Sequence, residues 1–285
     1  MKTFREKLFN SISQNQSRIC IGLDPVLEQF PNEVTASHPN IKKRLEFFFK
    51  EVISNTADNC CAFKPQVAMF SSLACEDVLE NLINWIKLNY PDHLVIFDGK
   101  RADIGNTSKH YALEAFERYQ SDAATVNPYM GFESIHPFLK NKEKGVYLLC
   151  RTSNPGSDVI QSVVTITTKL GEKMPLYQRI AELANSEYSS GQVGLVVGAN
   201  CLEELKLIDK KFPSTPLLLP GVGKQGGTIE GIKKIIDSER KVSQNSSNNL
   251  INVSRSILYP SKEKNWLELV SKTAKKFDFE LGTGD

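Results

Sequence analysis

Eight short apolar runs, each followed by an amphipathic stretch or a turn, constrain this chain more than any other feature. They are RICIGL (18–23), CCAFK (60–64), LVIFD (94–98), AATVN (123–127), GVYLLCR (145–151), VGLVVG (193–198), PLLLP (216–220) and LINVS (250–254). The runs are continuous rather than alternating, which suits strands buried on both faces, as in a parallel sheet. Between them lie helical patterns. The clearest is NIKKRLEFFFKEVISNTA, where Asn40 is placed to cap and Ile41, Leu45, Phe48, Phe49, Val52 and Ile53 form one apolar stripe. Segments 75–89, 106–119, 176–189, 201–211, 228–236 and 262–276 also read as helices. Eight strand–helix units in about 250 residues are the pattern of a (β/α)8 TIM barrel. The expectation is therefore an α/β chain folded as such a barrel, with an extra N-terminal helix. Periodicity alone does not show closure, and a doubly wound open sheet shares the pattern. With no Gly/Ser/Pro linker, residues 1–285 read as a single domain.

Composition removes several function classes. The chain is 40% hydrophobic and 24% charged with a net charge of +2, which argues against a polyelectrolyte surface for nucleic acid. Its six cysteines, Cys20, Cys60, Cys61, Cys75, Cys150 and Cys201, have no C-x-x-C spacing and several sit in apolar runs, so packed, reduced thiols are expected. The start, MKTFREKLFNSISQNQ, has no signal-peptide h-region, and no run is long enough to span a membrane. A cytoplasmic protein is the expectation. Two stretches are irregular: 153–175, read as a hairpin excursion or lid, and 238–249, read as an exposed loop.

In a barrel, function lies at the C-terminal ends of the strands. Here those ends carry Asp24, Lys64, Asp98 with Lys100, Asn127, Ser153, Pro220 with a glycine-rich turn, and Ser254 with Arg255. Asp98 and Lys100 are two apart and share a face if extended; Asp103 follows after a turn, and Lys64 is one strand away. Together they can form a Lys-Asp-Lys-Asp array. Flanking carboxylates favour a charged ammonium, so the array suits delivery of a proton to a carbanion-like carbon rather than removal of one. A salt-bridge network bracing the strand end has the same signature.

The second constellation is LLLPGVGKQGGTIEGIKK, a strand running into a glycine-rich turn with Thr228 placed to cap a helix. Backbone N–H groups there suit an anion. It is not a P-loop, because Gly227 stands where that motif needs lysine. Gln225 can donate an amide N–H, and Arg255 at the end of the eighth strand suits bidentate phosphate binding. Asp24 fits a ribose hydroxyl or a turn cap equally. Ser153 fits a base edge, although S-N-P-G is also ordinary turn chemistry. The four histidines, His38, His93, His110 and His136, share no metal-ligand spacing.

Taken together, IGLDP (21–25), FKPQ (63–66), DGKRADIGNT (98–107), RTSNPGS (151–157), PGVGKQGG (220–227) and SRSI (254–257) resemble the orotidine 5′-monophosphate (OMP) decarboxylases, most nearly their longer bacterial subgroup. The resemblance covers nearly the whole chain. It implies decarboxylation of OMP to UMP, with Lys100 protonating C6 and Asp98 beside the departing carboxylate. It implies a homodimer in which Asp103, Ile104 and Thr107 reach the neighbouring subunit's site. Lys64 and Asp24 would contact the ribose, Ser153 the pyrimidine edge, Pro220 the base, and Gln225 and Arg255 the 5′-phosphate. No metal and no organic cofactor is implied. Gly99 and Ser254 depart from the family's usual residues, bulkier at the first position and glycine at the second. Two other readings compete: a magnesium-dependent sugar-phosphate barrel, which needs an acidic ligand after strand two where this chain has Lys64-Pro65-Gln66, and a catalytically silent nucleotide binder.

Overall fold

The computed structural model describes residues 2–166, 172–187, 191–222, 227, 229–242 and 248–281. The apolar runs become β1 (Ile19–Leu23), β2 (Ala62–Pro65), β3 (Leu94–Arg101), β4 (Ala123–Val126), β5 (Gly145–Arg151), β8 (Val193–Val197), β9 (Leu217–Pro220) and β10 (Leu250–Val253). All pair in parallel and close on themselves in the order β1-β10-β9-β8-β5-β4-β3-β2. This is the (β/α)8 barrel, and helices cover its outer face. The expected stripe forms the helix Ile41–Ser54, opened by the Asn40 side chain accepting from the Lys43 N–H at 3.1 Å. Its Phe48 stacks against Phe30, Tyr259 and Trp266. Burying each such aromatic side chain stabilises by about 1.5–3 kcal/mol.

The N-terminal helix α1 (Phe4–Asn15) closes the bottom of the barrel. It begins with a capping box between Thr3 and Glu6. Phe4, Leu8 and Ile12 are buried in one cluster with Cys20, Leu94, Tyr147 and Leu218. Gly145 permits this plug: a Cβ there would lie 2.3 Å from the Phe4 ring. With one end filled, the open cavity is at the other end, where the strands finish.

Three expectations are corrected. β3 continues to Arg101 rather than stopping at Asp98, carried over by an irregularity in its register with β4. The helical stretch 106–119 divides into an α-helix, Gly105–Leu113, and one wider π-helical turn, Glu114–Arg118. That turn holds Glu114 against the Arg101 guanidinium at 2.8 and 2.9 Å. The stretch read as a loop from 238 is helical as far as Val242, within Ile229–Val242, because Glu, Arg and Lys are good helix formers and propagate the preceding turns; 243–247 lie outside the described residues.

The excursion at 153–175 contains a hairpin, β6 (Val164–Ile166) antiparallel to β7 (Lys173–Pro175). Val164 and Ile166 are exposed on it. All six cysteines are free and buried. Among the described residues no helix is long and apolar enough to cross a membrane.

Candidate active site

A cavity of about 430 Å³ opens at the C-terminal mouth of the barrel. Asp24, Lys64, Asp98, Lys100, Ser153, Pro220 and Arg255, each singled out from sequence, all line it. Seven positions spread over more than 230 residues thus converge because each sits at or just beyond a strand end.

Asp98 is the centre. Its Oδ2 accepts from Lys64 Nζ at 2.5 Å and from Gln66 Nε2 at 3.3 Å, and its Oδ1 from Lys100 Nζ at 2.6 Å and Thr125 Oγ1 at 2.8 Å. The Lys64 and Asp98 side chains are each 6% exposed, whereas Lys100 is 45% exposed and its ammonium is the accessible member. Burial alone would push the Asp98 carboxyl up; the Lys64 and Lys100 charges and hydrogen bonds overcome this and hold it well below the usual carboxylate range. Burial likewise pushes Lys64 down, but Asp98 and Asp24 outweigh it and the net shift is upward. Beneath them, burial pushes the Cys20 thiol up to about 12, so it stays a neutral packing group.

Asp98 and Lys100 meet for a different reason than strand alternation. Phe97 pairs with Ala124 and Arg101 with Val126, so Asp98, Gly99 and Lys100 bulge across an interval that β4 crosses with Thr125 alone. Lys100 itself has φ +47°, in the left-handed region, a strain of roughly 1–3 kcal/mol for a residue with a side chain. The Lys100 N–H donates to Thr125 Oγ1 at 3.0 Å.

Beside this group, Ser254 Oγ donates to Asp24 Oδ2 at 2.5 Å. The Tyr259 hydroxyl donates to the Asp24 carbonyl at 2.7 Å and accepts from the Val26 N–H at 2.9 Å. Asp24 Oδ1 is buried without a hydrogen-bond partner among the described residues, an acceptor available to a hydroxyl of a bound molecule. Gly22 makes the approach of β1 to Ser254 feasible, since a Cβ there would lie 2.7 Å from Ser254 Cβ. Across the mouth, buried Arg151 donates to Ser157 at 2.6 Å, Asp158 at 2.5 Å and Glu204 at 3.0 Å. Gln161 accepts from the Thr152 N–H at 2.8 Å. These bonds fix the segment that carries Ser153.

Not every expected residue joins the cavity. The four-membered array is three-membered within one chain: Asp103 Oδ1 accepts from the Ile104 N–H at 2.7 Å, and Asp103, Ile104 and Thr107 do not line the cavity. They stand at the start of the helix Gly105–Leu113, where Ile104 is 56% exposed. Gln225 and Thr228 lie outside the described residues; nearby, Val222 and Gly227 form a parallel bridge. Sequence reading missed Gln66, Thr125, Gln161 and Asn252, which also line the cavity. For Thr125 a signal existed: counting back in twos from the mouth makes it the inward residue of AATVN, whereas Asn127 instead caps the Tyr129 N–H at 3.0 Å.

A (β/α)8 barrel whose C-terminal mouth holds a buried Lys64–Asp98 pair, the more exposed Lys100 ammonium and the charged Asp24 and Arg255 is built as a barrel enzyme, with its chemistry at the strand ends. The chain belongs to the orotidine 5′-phosphate decarboxylase / HUMPS family, whose sequence model matches residues 17–268. It is 44% identical over 265 residues to a Cupriavidus taiwanensis protein named orotidine 5′-phosphate decarboxylase, covering 93% of this chain and 92% of the relative. A Ralstonia pickettii protein of the same name is 43% identical over 272 residues, covering 95% of each. The solved structure of Leishmania donovani OMP decarboxylase superposes with a TM-score of 0.75 at 27% identity, covering 98% of this chain and all of that one.

Proposed function

We propose that this chain is an OMP decarboxylase that converts OMP to UMP and carbon dioxide without a metal ion, with Lys100 as the proton donor to C6. The observation that carries the reading is the Asp98 carboxylate held between a buried ammonium and an accessible one, at 2.5 and 2.6 Å. Relatives 38–44% identical along most of the chain carry that enzyme's name.

The chemistry follows from the charges. Arg255, with Gln225, binds the 5′-phosphate; Asp24 and Lys64 hold the ribose; Ser153 meets the pyrimidine edge and Pro220 lies against the base. This anchoring brings the substrate carboxylate next to Asp98, where like charges repel, and the distant phosphate contacts supply the binding energy that keeps it there. The C6–carboxylate bond breaks and its electron pair stays on C6. Fixed ammonium charge stabilises that pair without reorganisation. An N–H bond of Lys100 then breaks as C6–H forms, and the neutral amine regains a proton from water.

Asp98 already accepts from two ammoniums, an amide and a hydroxyl, so a divalent cation at that carboxylate would have to displace them. The segment after β2 offers Lys64 and Gln66 rather than an acid. Both features favour this reading over the magnesium-dependent sugar-phosphate barrel. A second copy of the chain completes the site with its Asp103, Ile104 and Thr107, and we assign the protein, a single barrel domain, to the cytoplasm as a homodimer. The test is the ultraviolet orotate band of OMP mixed with purified protein in excess EDTA. Loss of the band with UMP as product supports the proposal; an unchanged band overturns it.

A further inference from the structure

We infer that Thr125 is a positioning residue for the proton transfer, its hydroxyl locking the backbone of Lys100 to the carboxylate of Asp98. The inference rests on the function proposed above and deepens it at the same site.

Thr125 is the single β4 residue opposite the three-residue bulge of β3, and it is 2% exposed. Its hydroxyl makes two bonds whose directions are settled by chemistry. The Lys100 N–H can only donate, so Thr125 Oγ1 accepts it at 3.0 Å. An ionised Asp98 can only accept, so the hydroxyl proton goes to Oδ1 at 2.8 Å. The same Oδ1 receives the Lys100 ammonium at 2.6 Å. Backbone, hydroxyl, carboxylate and ammonium therefore close one ring, which begins and ends on Lys100. The ring matters because Lys100 sits in the left-handed region at φ +47°, a conformation held only where its surroundings over-determine it. Without the hydroxyl, the Lys100 N–H loses its partner and Oδ1 loses one of two donors. The bulge can then relax, carrying the ammonium away from the reacting carbon. Valine would fill the same space and pack equally well on β4, so the ring is what distinguishes threonine here.

Positioning and packing roles predict opposite orders for two variants. Thr125→Val keeps the shape and removes both bonds; Thr125→Ser keeps both bonds and removes a methyl. If Thr125 positions Lys100, Thr125→Val lowers kcat about 10- to 100-fold, the equivalent of a hydrogen bond to a charged group. Its KM for OMP and its affinity for UMP stay within about threefold, because the phosphate and ribose contacts lie on other strands. Thr125→Ser then turns over within about threefold of the unsubstituted chain, a rescue that packing cannot provide. Should Thr125→Val not fold, Thr125→Cys, whose thiol is a weak donor and acceptor, carries the same comparison with serine. Full kcat in the valine variant, or serine as slow as valine, would overturn the inference while leaving the decarboxylase reading intact. An unsubstituted chain that leaves OMP unchanged would overturn both.

Discussion

The Lys64 ammonium and the Asp98 carboxylate meet at 2.5 Å inside the mouth of the barrel, with each side chain 6% exposed. Two charges removed from water together are tolerated because each is the other's partner, and removing one strands the other. Asp98→Asn should therefore lower unfolding stability at neutral pH by about 3–5 kcal/mol. Asp98 titrates below the usual carboxylate range in the folded chain, so its contribution is complete above the unfolded value of about 3.9 and is lost as pH falls through the folded one. Lys64 titrates above its usual range, so its contribution is complete below about 10.4 and is lost as pH rises through the folded value. Urea unfolding of both proteins across pH checks this: the gap between them should be widest from about pH 4 to pH 10 and close under acid. A gap of the same size at pH 2 would contradict the pairing.

Arg255 lines the cavity from the far end of β10. Arg255→Ala should raise the KM for OMP by roughly 10- to 100-fold, from loss of a charged hydrogen bond, with the melting temperature little changed. Steady-state kinetics and a thermal melt together decide this, and an unaltered KM would remove Arg255 from the phosphate site. Gln225→Ala should behave in the same way.

Gly22 and Ser254 are in register for contact, and Ser254 in turn holds Asp24. Adding a methyl at 22 forces Ser254 aside, so Gly22→Ala should destabilise the fold by about 1–3 kcal/mol, the range for overpacking. Removing the opposing Cβ should return much of that: Gly22→Ala combined with Ser254→Gly should unfold at higher urea than Gly22→Ala alone. Simple additivity of the two losses would contradict the contact.

Asp103, Ile104 and Thr107 stand apart from the cavity of their own chain, and the proposed homodimer gives them their task. Lys100→Ala and Asp103→Ala should each be inactive alone. Mixed and allowed to exchange subunits, they should regain roughly a quarter of the unsubstituted activity, since half the random dimers carry one intact site of two. A mixture as inactive as its components would contradict a shared site.

Much of this architecture is legible in the sequence, for identifiable reasons. Strands buried on both faces leave unbroken apolar runs, so seven of the eight barrel strands match their runs to within about two residues, and only β3 overruns its expected end, by three. Asn40 capped the helix it precedes because a side-chain acceptor before an apolar stripe has one local use. Asp24, Lys64, Asp98, Lys100, Ser153, Pro220 and Arg255 were legible because polar groups ending apolar strands are out of place anywhere but a mouth. The bulge was not legible. DGKR continues the strand in composition, and only pairing with β4 shows that three residues pass Thr125 alone. Thr125 left one trace, its inward position two residues back from the mouth, but a threonine within a strand satisfies β-propensity before it suggests a site. Spacing groups Asp103 with Lys100, but its carboxylate accepts instead from the adjacent Ile104 N–H, the local capping that Asp commonly makes.

Lys100 carries the central claim, because it is the accessible ammonium on the buried carboxylate. The direct measurement is turnover of OMP by Lys100→Ala at saturating substrate, with UMP affinity measured on the same preparation. The account predicts loss of at least about a thousandfold in kcat, within the range for a positioned general acid, while UMP still binds and the protein remains folded. Turnover within tenfold of the unsubstituted chain would contradict it.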